Sequence, residues 1–141
     1  MDFDKVKTYV CPVPAHALQI EGIKGKITAS GGILVCDDKV DLSDFQACVD
    51  GCAVVVILIC PETEAQAYVD VITYATQTGK QVIGVWPEGK ASGAIPVAIN
   101  SQGDGAVTFD DLGNAGTEGE RGWQLPDGKV REKQKTPRHK G

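Results

Sequence analysis

Hydrophobic residues along this chain fall into five short apolar runs, separated by polar stretches whose apolar positions recur at helical spacing. The first run, 5–11 (KVKTYVC), reads as a strand stopped by Pro12 and Pro14, neither of which can donate to a ladder. Residues 15–20 and the glycine-spaced 21–32 predict a weak helix or an irregular crossover. Residues 33–36 (ILVC) are a second strand. Residues 42–49 predict a short helix with Asp41 or Ser43 as its N-cap and Gly51 as its stop. The third run, 53–60 (AVVVILIC), is unbroken and rich in β-branched residues, the pattern of a strand covered on both faces.

The clearest helix spans 61–79. Pro61, Glu62 and Glu64 suit its first turn and Gly79 its end, while Ala65, Tyr68, Val69, Ile72, Ala75 and Thr76 form one apolar stripe. A fourth strand, 81–86 (QVIGVW), ends at Pro87. A helix over 92–100 is weakened by Gly93 and Pro96, and 106–109 (AVTF) closes the pattern. Strands alternating with helices predict an α/β domain, a small doubly wound, mainly parallel five-stranded sheet of flavodoxin-like order 2-1-3-4-5. That domain covers 1–110. Residues 111–141 differ in composition: Gly113, Gly116, Gly119 and Gly122 come first, then a basic tail.

With 141 residues the chain has the size of one domain with one core, and its 42% apolar and 23% charged content is ordinary for a globular protein. The net charge of -5 argues against a dominant nucleic-acid footprint. Lys129, Arg131, Lys133, Lys135, Arg138 and Lys140 face a single acid, Glu132, so the tail is the one segment with charge to offer RNA or an acidic partner. Trp123, Arg131 and Arg138 are its candidate partner-binding residues. Trp123 with Leu125 serves either as an anchor docked on the domain or as a hook for a partner. No apolar stretch has membrane-spanning length, and the N-terminal MDFDKVKTYV lacks the order of a signal peptide. The expected compartment is therefore the cytoplasm, where the five cysteines are expected as reduced thiols.

In open parallel sheets, ligands bind beyond the carboxyl ends of the strands. Four strands here end in Cys11-Pro12, Cys36-Asp37-Asp38, Cys60-Pro61-Glu62 and Trp86-Pro87-Glu88. Strand order predicts Cys36, Cys11 and Cys60 in a row with Trp86 beside them, so Cys11, Pro12, Cys36, Asp37, Cys60 and Trp86 are the candidate ligand-binding residues. No Cys-x-x-Cys pair is present and Cys48 and Cys52 lie elsewhere, so no metal is expected from the cysteine spacing. A thiol- or metal-based regulator built on Cys11, Cys36 and Cys60 is the remaining use of that row. Pro12 and Pro14 remove the backbone donors a phosphate nest needs, and no glycine fingerprint follows a strand, so no cofactor is expected. His16 lies just after the first strand, within reach of the crevice.

The segment AVVVILICPETEAQAYVDVITYATQTGKQVIGVWPEG carries a resemblance. Its order of apolar strand, helix, and then Gly79-Lys80-Gln81-Val82-Ile83-Gly84 opening the next strand resembles the nucleoside 2-deoxyribosyltransferase-like and TIR-like superfamily; Tyr74 and Ala75 match too. The resemblance covers 32–88. It implies a flavodoxin-like fold and, in active members, cleavage of N-glycosidic bonds of nucleosides or NAD by a helix glutamate four residues before the position of Ala75. Val71 stands there, with Asp70 beside it about 100° around a helix. Glu64 lies nearly two turns earlier, on roughly the face of Val71. The aspartate-rich loop after the third strand of the deoxyribosyltransferases is matched by Pro61-Glu62-Thr63. The candidate catalytic acids are therefore Glu64, Asp70 and Glu62. The resemblance points to a domain that binds a nucleotide-type ligand or a protein partner, with which assembly into a homo-oligomer is compatible, or to an N-glycosidase using those acids.

Overall fold

Val54 to Leu58 are fully buried at every position, alternate side chains included, so the strand they form needs cover on both faces. A computed structural model describes residues 4–38, 40–87, 97–103, 105–109 and 112, and supplies that cover. The elements run β1 (Lys7–Val10), α1 (Ala17–Ala29), β2 (Ile33–Leu34), α2 (Phe45–Asp50), β3 (Val54–Leu58), α3 (Gln66–Gln77), β4 (Gln81–Trp86), α4 (Val97–Gln102) and β5 (Gly105–Thr108). All five strands are parallel, in the flavodoxin-like order β2-β1-β3-β4-β5. Right-handed crossovers then place α1, which leads back to β2, on one face and α2, α3 and α4 on the other. Phe45 of α2 meets Tyr74 of α3 edge to face at 6.1 Å, and the Tyr74 hydroxyl donates to Asp50 at 2.7 Å. Among the described residues, no helix is long and apolar enough to cross a membrane.

Several elements differ from the sequence pattern for local reasons. The glycine-spaced crossover is a continuous helix, because Ile20, Ile23 and Ile27 recur at helical spacing and are buried. Gly22 suits that helix for lack of a side chain: a Cβ there would meet the Phe109 ring at 3.3 Å. The Lys26 ammonium sits 4.9 Å from the centre of the same ring. α3 does not begin at Pro61. Pro61–Glu64 form a separate 3-10 turn, and Ala65 is extended, with ψ 154°, before the helix starts. Gly79 ends α3 with φ +80°, the left-handed conformation its residue type allows.

Neither Asp41 nor Ser43 caps α2. The Asp41 carboxylate accepts from the Ser43 amide at 3.0 Å and hydroxyl at 2.7 Å, and Asp44, in the left-handed region with φ 56°, enters the helix instead. α4 begins at Val97; residues 88–96, Glu88 among them, lie outside the described residues. So do Trp123, Leu125, Arg131, Arg138 and the rest of the tail beyond Leu112.

The expectation of five reduced thiols is corrected: Cys36 and Cys48 are joined in a disulfide, and Cys11, Cys52 and Cys60 are free and buried. β2 has only two residues, and Cys36 follows it in the left-handed region with φ 57°. The chain thus turns off the sheet edge onto α2, where Cys48 is buried. The predicted row of Cys36, Cys11 and Cys60 does not exist as three free thiols.

Candidate functional site

β1 and β3 are neighbours whose connections leave in opposite directions, one through α1 to the β2 edge and the other through α3 towards β4. A parallel sheet opens a crevice at such a switch point. Two short segments line it here, 11–16 after β1 and 59–65 after β3. Both are fixed by backbone-directed hydrogen bonds. The Cys11 amide donates to Val56 at 3.0 Å and the Ile59 amide to Val85 at 2.8 Å, so each segment leaves its strand in ladder register. The buried Thr63 hydroxyl donates to the Leu58 carbonyl at 2.7 Å and accepts from the Cys60 amide at 3.2 Å, closing the 3-10 turn. The Tyr68 hydroxyl of α3 donates to the Pro12 carbonyl at 2.6 Å and ties the two segments together. Burial, followed by the nearby Cys11, Cys60 and Glu62, pushes that phenol up to about 12, so it serves as a donor at any physiological pH.

On this frame the His16 Nε2 and Glu62 Oε1 atoms lie 2.9 Å apart, with the two side chains 35% and 46% exposed. The hydrogen bond from His16 is the main reason the Glu62 carboxyl titrates below its ordinary value. The buried Cys60 thiol is close by, and one donor atom from each of His16, Cys60 and Glu62 falls within 4.8 Å of the others. Burial raises the Cys60 thiol, although hydrogen bonds from Thr63 oppose the shift. Burial likewise raises Cys52, and Cys11 further still. The free thiols therefore rest protonated, which runs against nucleophilic cysteine chemistry here.

Of the acids marked from sequence, only Glu62 stands in the crevice. Glu64 is exposed at the end of the 3-10 turn. Asp70 is exposed on α3, where it accepts from Gln66 at 2.9 Å, one turn away. The reading that Glu64 shares a face with Val71 is corrected: Val71 is fully buried towards the core, and the extended Ala65 puts Glu64 on a different element. Cys11 is fully buried and Trp86 is 1% exposed, so both belong to the core and not to an exposed rim. Asp37 lies at the β2 edge, where its carboxylate meets Lys24 at 3.2 Å and its carbonyl accepts from Lys24 at 2.9 Å. Pro12 lines a groove of about 260 Å³ beside α1, together with Val13, Pro14, Ala17, Ile20 and Val40 and the charged Glu21 and Lys24. The 3-10 turn Pro14–His16 therefore has a largely apolar groove on its α1 side, which neither His16 nor Glu62 lines.

The pairing of His16 with Glu62 joins residues 46 positions apart, and nothing in the spacing announces it. The signal that does locate it is topological: the residues following β1 and β3 in a 2-1-3-4-5 sheet meet at the switch point. No family model matches the chain, and no curated protein matches it.

Proposed function

We propose that this domain binds a nucleoside-type small molecule in the crevice between β1 and β3 and acts by recognition. The observation that carries the reading is the His16–Glu62 pair, which bridges the two segments of the switch point and holds an ionised carboxylate at its mouth. A carboxylate so placed accepts hydrogen bonds from two neighbouring hydroxyls, the contact an acidic residue makes with ribose in other doubly wound sheets. The groove beside 12–17, which runs from the segment after β1 towards Val40 at the β2 edge, offers the apolar surface of Val13, Ala17 and Ile20 to a base, with Glu21 and Lys24 beside it. The resemblance in 32–88 points to the same class of ligand. Recognition is favoured over cleavage because α3 presents Val71, buried, where the resemblance asks for a glutamate.

The test is calorimetric titration of the protein with adenosine, ADP-ribose and NAD. Saturable binding of at least one of them, weakened about tenfold or more in Glu62→Gln, supports the reading, a factor of ten being about 1.4 kcal/mol of lost contact. Failure of all three to bind sinks it. A second reading has one observation in its favour. A carboxylate kept ionised beside a sugar is also what an oxocarbenium-like transition state needs. Release of free base or nicotinamide during the same incubations, lost in Glu62→Gln, would make the domain an N-glycosidase.

A further inference from the structure

Among the described residues, one group offers three different metal donors in one place: an imidazole after β1, and a thiol and a carboxylate after β3. We propose that His16 Nε2, Cys60 Sγ and a Glu62 carboxylate oxygen form a three-donor site for zinc, with the fourth tetrahedral position open towards solvent. Three protein ligands and one open position is the arrangement of reactive zinc centres, whereas structural ones close all four. Zinc bonds of about 2.0 to 2.3 Å at tetrahedral angles put neighbouring ligand atoms about 3.5 Å apart. The donors, within 4.8 Å of one another and with 2.9 Å between His16 and Glu62, bracket that separation. The two side chains that must move are half-exposed and have rotatable bonds to do so. The third stays where Thr63 fixes the Cys60 backbone.

The donor chemistry selects the ion. Thiol and imidazole favour zinc over calcium or magnesium, which prefer all-oxygen sets. Charge also balances. Zinc displaces the thiol proton to solvent, the imidazole carries its proton on Nδ1 so that Nε2 is free to bind, and one thiolate plus one carboxylate cancel the two positive charges beside that neutral ring. The buried protonated thiol thus acquires a use as a ligand that it lacks as a nucleophile. The inference does not rest on the nucleoside reading, because the ion is measured with no organic ligand present.

The experiment uses the whole chain, stripped with a chelator, dialysed free of it, and kept without reductant so that the Cys36–Cys48 bond stays closed. Cobalt(II) is titrated in as a spectroscopic stand-in for zinc. The expected result is a near-ultraviolet thiolate-to-cobalt band with the intense visible bands of tetrahedral cobalt, saturating at one ion per chain and displaced by zinc. Cys60→Ser removes the thiolate band, and His16→Ala and Glu62→Gln each weaken cobalt binding by about tenfold or more. Circular dichroism of each variant guards against misfolding. If Cys60→Ser does not fold, the two half-exposed positions carry the test. Absence of the band in the wild-type protein, its persistence in a folded Cys60→Ser, or unchanged affinity in both His16→Ala and Glu62→Gln overturns the site.

Discussion

The crevice between β1 and β3 and the edge at β2 lie at the same end of one sheet, yet they are held in opposite ways. At the crevice, β3 is paired on both sides and buried throughout, and short hydrogen-bonded turns carry the chain away from it. At the edge, β2 pairs through two residues, Ile33 and Val40 are 47% and 74% exposed, and the chain leaves through a left-handed cysteine. What ties the edge down is a covalent bond to α2 and the Lys24–Asp37 bridge to α1. The difference explains where chemistry can reside. At the crevice the backbone is fixed by other groups, so the half-exposed pair of His16 and Glu62 can open to meet a ligand without loosening the turns. At the edge the reactive groups are consumed in holding the chain.

Breaking the crevice from beneath has the largest expected effect. Leu58 is fully buried at the end of β3, and its carbonyl accepts from Thr63. Leu58→Ala is expected to cost about 3–5 kcal/mol, the usual range for a core leucine whose cavity does not collapse, and to abolish ligand and cobalt binding with it. Chemical denaturation with parallel binding assays reads both. Opening the edge comes next. Cys36 and Cys48 are 12 positions apart, and closing a loop of that size stabilises by about 2–4 kcal/mol in the chain-entropy account. The Cys36→Ala, Cys48→Ala double variant should lose that stability and keep the cobalt spectrum. A melting temperature equal to the wild type's would show that the edge is held by its other contacts.

How much of this was legible in the sequence follows the same division. The central sheet was readable because its signal is local: AVVVILIC is short, unbroken and rich in β-branched residues, the pattern of a strand covered on both faces, and the four other runs and the helices between them set the order. The glycine-spaced α1 was obscured, since Gly22 is explained by Phe109, a residue far away in the chain. Glu64 was misplaced because Ala65 turns extended inside a pattern of helical spacing, and only the hydrogen bonds of Thr63 show why. The disulfide was missed because reduced thiols were inferred from the expected compartment, while the bond depends on where β2 hands the chain to α2. Of the site, Glu62 and Cys60 were marked and His16 was placed within reach of the crevice, but the bond between His16 and Glu62 joins two distant segments and no local pattern shows it.

A smaller effect belongs to the turn itself. Thr63→Val keeps the shape of the side chain and removes a hydroxyl that serves the Leu58 carbonyl and the Cys60 amide at once. Leaving buried backbone groups unpaired costs about 1–3 kcal/mol. Because the turn also aims Cys60, cobalt affinity should fall alongside stability, whereas the disulfide variant separates the two. Thermal unfolding and the cobalt titration on the same sample make the contrast.

The smallest effect on stability, and the sharpest on function, is expected at Glu62. Its carboxylate is solvent-accessible and its bond to His16 is an exposed one, the kind of pair that contributes little to folding. Glu62→Gln should therefore leave the melting temperature unchanged, since the amide oxygen can still meet the imidazole and no core atom moves. What disappears is the negative charge and one of two acceptor oxygens, and with them the paired hydrogen bonds proposed for a ribose and the charge that helps neutralise a metal ion. His16→Ala discriminates between those two roles. It deletes a metal donor outright, but a ribose held by the carboxylate loses only the group that orients it. Cobalt affinity falling in both variants while nucleoside affinity falls chiefly in Glu62→Gln would assign the two ligands to one crevice through different atoms. A fall in melting temperature for either variant would place the pair among the contacts that hold the fold, and the contrast between crevice and edge would then fail.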